Sequence, residues 1–176
     1  MGALVRDAKP TEIDALREIY RRASLPNDGD ADNLLAHPDV LVWPDVALVE
    51  GRVRAAEQGG RVVGFATTVV EGAYAIELDD LFVEPEFMRR GVGRDLILDV
   101  VSIAKRRGAR RVEVTANDHA LAFYTSVGFV RDGVVETRFG PGIRMHLDVG
   151  LTASQLAHEG LARAQPAPAD GDRRGS

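Results

Sequence analysis

The chain contains no cysteine, which excludes a disulfide framework, a thiolate metal site and a cysteine nucleophile together. No apolar run approaches the roughly 18–20 residues needed to span a bilayer. The first ten residues lack the apolar stretch of a secretory leader, and Arg6 stands where a myristoylation signal needs Ser or Thr. A cytoplasmic protein without a membrane partner is therefore expected. Histidine is sparse: His37, His119, His146 and His158 lack metal-ligand spacing, so no metal is expected. Excess positive charge is missing too. A net charge of −5 argues against a general nucleic-acid binder.

What is present fits one folded unit. With 176 residues, 45% hydrophobic and 28% charged, the chain can bury a core and is too ordinary in composition for disorder. The charge is unevenly spread. Arg89 to Arg111 holds eight basic residues against Asp95 and Asp99, a local +6 that leaves −11 for the remainder. Because 20 of the 22 basic residues are arginine, part of that richness is compositional.

Periodicity and turn residues set the order of elements. Leu4-Val5 starts a strand. Thr11, with Asp14 three residues on, reads as the cap of a helix carrying Ile13, Leu16, Ile19, Tyr20 and Ala23, which Pro26 to Gly29 ends. A short helix and irregular structure are expected over residues 31–50. Gly59-Gly60 joins strands 52–58 and 61–70 in a hairpin, and a third strand runs from Ala75 to Val83. Leu96, Val100, Ile103 and Ala104 mark a helix over 92–107, which Gly108 caps. Val112 and Val114 form a strand, Asn117 caps a helix, and two strands follow with Gly140-Pro141-Gly142 between them. Residues 152–163 suit a short helix before a tail without large apolar side chains. The fold class is α/β: a single mixed, mostly antiparallel sheet flanked by helices.

The chemistry concentrates in Leu81 to Arg94, where a strand enters a helix through Arg89-Arg90-Gly91-Val92-Gly93-Arg94. Amides at such a helix start converge where the macrodipole is positive, a setting for phosphate or pyrophosphate. Gly91 and Gly93 let the backbone approach an anion, and three arginines add charge. A Walker loop is excluded by the missing Gly-Lys-Ser/Thr, and a dinucleotide fingerprint by Leu96.

Asn117 to Tyr124, followed by Gly128-Phe129, begins 24 residues beyond Gly93. Together these segments resemble the GNAT family of N-acetyltransferases, whose pattern is Arg/Gln-x-x-Gly-x-Gly/Ala and then Asn-x-x-Ala-x-x-Phe/Leu-Tyr. The motif-bearing likeness covers about residues 75–131. The resemblance implies an acetyltransferase domain over 1–150 and a tail over 151–176. One departure stands out. Met88 occupies the Arg/Gln position, and its thioether cannot bond to phosphate, so the loop amides and arginines must suffice.

The resemblance also implies roles. Acetyl-CoA is the acyl donor, with its pantetheine amides paired to the backbone of Leu81, Phe82 and Val83. Its pyrophosphate lies on Arg89, Arg90, Gly91, Val92, Gly93 and Arg94, and Asn117 is a further cofactor contact. Tyr124 is the acid beside the departing sulfur. Glu77 is the first choice for the base that frees the acceptor amine, with Asp79, Asp80 and Glu113 open as alternatives. Strand alternation places Glu77, Asp79, Leu81 and Val83 on one face and Asp80 on the other, unless a bulge intervenes. Trp43 reads as a core residue or a wall of the acceptor pocket. The acceptor is a small-molecule or peptide amine, attacked directly in a ternary complex, and a homodimer fits the family. The alternative is a CoA-binding sensor without catalysis.

Overall fold

The computed structural model describes residues 2–24, 43, 45–72, 74–137 and 140–150. The turn at Pro26 to Gly29, most of the stretch after it, and the C-terminal helix and tail lie outside the described residues. The elements run β1 (Leu4–Asp7), a 3-10 turn (Pro10–Glu12), α1 (Ile13–Ser24), α2 (Val46–Val49), β2 (Val53–Gln58) and β3 (Arg61–Glu71). They continue with β4 (Ala75–Val83), a 3-10 turn (Pro85–Phe87), α3 (Val92–Arg106), β5 (Arg111–Ala116), α4 (Asp118–Ser126), β6 (Val130–Thr137) and β7 (Gly140–Asp148).

The seven strands form one sheet in the order β1-β2-β3-β4-β5-β7-β6. Among the described residues only β4 and β5 pair in parallel, as their α3 crossover requires. The sheet is thus mixed and mostly antiparallel, as predicted. Local chemistry explains the joints. Gly59 and Gly60 have φ of 60° and 77°, the two left-handed positions of a tight hairpin turn. Gly108, at φ 73°, follows α3 in the same region. Leu96, Val100 and Ala104 form the fully buried stripe of α3. Burying a Leu or Val contributes about 1.5–3 kcal/mol each.

Two layers cover the sheet. On one face α3 and α4 pack on Ile76, Leu78, Val112, Val114, Met145 and Leu147. On the other, α1 brings Leu16 and Ile19 onto Trp43, Val53 and Phe65.

Two local expectations need correction. Thr11 lies inside the 3-10 turn, and the cap forms two residues earlier, where the Lys9 amide donates to Glu12 Oε2 at 2.7 Å. Pro10 causes this, because its fixed φ starts the turn before Thr11. Gly140-Pro141-Gly142 is not the break between the last strands but the start of β7, paired with Thr137, Glu136 and Val135. Pro141 is tolerated there because β5 ends opposite Ile143, so it meets no β5 ladder position.

Candidate active site

Parallel pairing of β4 with β5 covers Ala75, Ile76 and Glu77, opposite Arg111, Val112 and Glu113, and then stops. Beyond Glu77 the two strands diverge. Leu81, Phe82 and Val83 pair with Ala66, Phe65 and Gly64 of β3 on one side and have no β5 partner on the other. The divergence leaves a backbone edge open in the middle of the sheet.

The loop at the mouth of this split is held in an unusual conformation. Arg89 has φ 59° and Gly91 has φ 89°, with extended Met88 before them and the helix N-terminus after. Left-handed residues next to a helix start turn successive amides toward one side, the geometry of an anion nest. Arg89, Arg90 and Arg94 are exposed, and none has an acidic partner among the described residues. Arg90 instead lies over the Phe87 ring, 5.4 Å from its centroid. The glycines serve different ends. Gly91 is needed for its φ, since a Cβ there would meet nothing within 4 Å. At Gly93 a Cβ would meet Phe123 Cζ at 3.0 Å, so this glycine lets α3 and α4 approach. The loop is anchored by Glu84, which is 2% exposed and accepts from Arg61 at 2.9 Å. The sequence signal for Glu84 was weak, a single acid before Pro85.

The acids on β4 do not follow simple alternation. Thr68 pairs with Leu78 and Thr67 with Asp80, so Asp79 is an extra, bulged residue. The bulge reverses the predicted faces. Leu81 and Val83 join Ile76 and Leu78 on the α3 face, whereas Phe82 packs with Phe65 on the α1 face. Asp80 is brought to the α1 side, where its Oδ2 accepts from Trp43 Nε1 at 2.9 Å and Thr67 Oγ1 at 2.6 Å. Trp43 is a core residue that also orients this acid.

Glu77 and Glu113 share a partner that sequence reading missed. Arg144 of β7 donates to Glu77 Oε1 at 2.7 Å, to Glu113 Oε2 at 2.5 Å and to Thr115 Oγ1 at 3.1 Å. It also lies 3.8 Å from Glu71. The carboxylates of Glu71, Glu77 and Glu113 fall within 4.8 Å of one another, and the guanidinium supplies their counter-charge. Burial pushes the Glu77 carboxyl above its ordinary range despite the Arg144 bond. For Arg144, burial works against the charge, yet the bonds to Glu77 and Glu113 hold its pKa above normal. Alternation of Ile143, Met145 and Leu147 was the available signal, since it puts Arg144 on the face of Glu113.

Tyr124 comes from α4 and is 6% exposed, edge-on to Phe123 and Phe129. Burial raises its phenol well above the usual value, and the charges of Asp80 and Glu77 raise it further. Tyr124 belongs to the α3-face core and the acids to the other face, so the split is where their fields meet. No hydrogen bond to its hydroxyl exists among the described residues. Asn117 caps α4, its Oδ1 accepting from Ala120 N at 2.9 Å, which leaves its amide donors available for another contact.

The family model of the Acetyltransferase (GNAT) family matches residues 13–129. The chain belongs to the GNAT family. N-alpha-acetyltransferase RimI of Mycobacterium tuberculosis is 40% identical over 102 residues, 52% of this chain and 64% of that protein. Serotonin N-acetyltransferase 2, chloroplastic, of Oryza sativa subsp. japonica is 26% identical over 132 residues, 74% of this chain and 62% of that protein. With a further relative from Methanocaldococcus jannaschii, these proteins are spanned over 39% to 64% of their own length. Among solved structures, PaiA N-acetyltransferase of Thermoplasma acidophilum, in complex with coenzyme A, superposes with a TM-score of 0.70. It is 18% identical and covers 84% of this chain and 99% of its own. YncA of Salmonella typhimurium, a putative acetyltransferase with acetyl-CoA, gives 0.61 at 24% identity, covering 85% and 95%. The GNAT fold is therefore established for this member.

Proposed function

We propose that this GNAT protein transfers acetyl from acetyl-CoA to a primary amine by direct attack in a ternary complex. The observation that carries the reading is the open edge of Leu81 to Val83 ending in the left-handed loop at Arg89 and Gly91. An unpaired strand edge suits the amides of pantetheine, and a nest at a helix start suits a pyrophosphate. Arg89, Arg90 and Arg94 would stand around that pyrophosphate, with the amides from Arg89 to Arg94 facing it. When bound, acetyl-CoA supplies a thioester carbonyl that a free amine can attack.

The residues divide the remaining work. Tyr124 donates a hydrogen bond to the departing sulfur. A phenol raised by burial is a weaker acid than a free one, so donation without full proton transfer is the favoured role. An alkyl amine with a pKa near ~10 is almost wholly protonated at neutral pH, so a carboxylate must take its proton. Glu77 and Asp80 are the two acids whose charges reach Tyr124. The excess of acidic residues outside Arg89 to Arg111 favours approach of a cationic acceptor.

Calorimetry with acetyl-CoA and thiol release over an amine panel test this reading. Tyr124→Phe is expected to leave cofactor affinity unchanged, to lower turnover about 10–100-fold and to keep the melting temperature, because the hydroxyl has no partner to lose. Tight binding without turnover on any amine favours a CoA-binding sensor instead.

A further inference from the structure

The acetyltransferase reading requires a carboxylate that meets the acceptor nitrogen. Of the three β4 acids, Glu77 and Asp80, the two whose charges reach Tyr124, differ in what an acceptor can reach. Glu77 sits on the last rung paired with β5. Its Oε1 is held by Arg144, and its Oε2 is sealed from solvent with no hydrogen-bond partner among the described residues. A substrate could reach it only by displacing the guanidinium.

Asp80 is arranged differently. The bulge at Asp79 brings it to the same sheet face, three residues further along β4, beside the edge that β5 has left. Both bonds from the protein, the Trp43 indole and the Thr67 hydroxyl, go to Oδ2. Oδ1 has no partner among the described residues, and it is not one of the sealed polar atoms, which are Gln58 Oε1, Glu77 Oε2 and Glu84 Oε2. One oxygen is therefore fixed by two donors while the other stays open. An oriented carboxylate with a free oxygen is what a general base requires, geometry first. Tyr20 of α1 stands edge-on to Phe82 of β4, with ring centroids 4.8 Å apart, which places the first helix over this side of the split.

We propose that Asp80, rather than Glu77, receives the acceptor's ammonium group on Oδ1 and takes its proton. This rests on the acetyltransferase reading and names its substrate class as cationic alkyl amines. The ammonium gives one proton to Asp80, and its nitrogen pair forms the new C–N bond at the thioester carbonyl. The C–S bond breaks and the sulfur keeps that electron pair, hydrogen-bonded by Tyr124. The nitrogen then loses its second proton to solvent, and the thiolate is protonated as it leaves. The balance is ammonium plus thioester giving amide, thiol and one proton. Glu77, with Arg144 and Glu113, holds the rung from which the split opens.

Asp80→Asn and Glu77→Gln separate the two acids, with phenethylamine and spermidine as alkyl acceptors and p-toluidine as an arylamine that is neutral at pH 7. Asn keeps an oxygen for Trp43 and Thr67, so the fold is preserved. Asp80→Asn is expected to lower kcat/KM about 100-fold for the alkyl amines, chiefly through kcat. For p-toluidine, which has no proton to give up before attack, the expected loss is below about threefold. Calorimetry without acetyl-CoA should show alkylammonium binding weakened about tenfold by Asp80→Asn and less by Glu77→Gln. Equal losses for alkyl and aryl amines, or a larger loss in Glu77→Gln than in Asp80→Asn, overturn the assignment of Asp80 alone. A wild-type protein inactive on every amine overturns it together with the transferase reading.

Discussion

Arg144 of β7 reaches past β5 to donate a 2.7 Å hydrogen bond to Glu77 of β4, and the same guanidinium bonds Glu113 at 2.5 Å. These carboxylates face each other on the last rung where β4 and β5 still pair, so the arginine closes the vertex of the split. Arg144→Gln leaves the partly buried Glu77 without its counter-charge and Glu113 with only Arg111, 3.9 Å away. The expected cost is about 1–3 kcal/mol, read as a lowered urea midpoint. Because the vertex sets the width of the split, the Kd for coenzyme A should rise as well. A stability loss with unchanged cofactor affinity limits Arg144 to holding the sheet.

Gly91 and Gly93 should respond to alanine for different reasons. At Gly93 the added methyl meets the Phe123 ring at 3.0 Å, and overpacking of this kind costs about 1–3 kcal/mol. Phe123→Leu in the same chain should recover part of that loss. At Gly91 the methyl enters open space, and the expected cost of about 1–2 kcal/mol comes from φ 89° alone. Phe123→Leu should not rescue it. Thermal denaturation of the four variants checks the pattern.

Glu12 gives the fold a pH dependence of known sign. The Arg6 hydrogen bond, 2.7 Å to Oε1, holds its carboxyl below the usual range, with burial opposing and the Lys9 amide helping. The native state thus binds this proton less tightly than the unfolded chain. Its stabilisation is present above the ordinary glutamate value near ~4.3 and is lost as pH falls through the lower native value. Glu12→Gln should cost about 0.5–1 kcal/mol at pH 7, and the deficit should shrink steadily toward pH 3 in urea titrations. Glu77 runs the other way. Burial raises its native pKa, so it favours the fold on acidification and offsets part of the Glu12 loss.

Much of the architecture was readable because its causes are local. The Gly-Gly turn, the stripe Leu96, Val100 and Ala104, the Asn117 cap and the loop before α3 each depend on neighbours a few residues away. The β-bulge left a trace that simple alternation overlooked. Apolar residues at 76 and 78 resume at 81 and 83, a parity change that two adjacent aspartates conceal. Arg144 left only the alternation of its own strand, which says nothing of a partner met across 67 residues of chain, Glu77.

By itself the sequence determined the element order, the family motifs and the place of the anion loop, since turns, caps and periodicity act over one or two helical turns. It also marked Tyr124, Asn117 and the group of candidate acids. Only the tertiary structure decided which acid lies open and which is already occupied. One extra residue in β4 moved Asp80 to the face of Glu77, and a strand from the far end of the chain engaged Glu77 and Glu113. Those outcomes depend on strand register and on side chains meeting across the sheet, and neither is encoded in any single segment. Gly93 shows the same division: its position was legible, while its need for a bare Cα arises from the Phe123 ring packed against it.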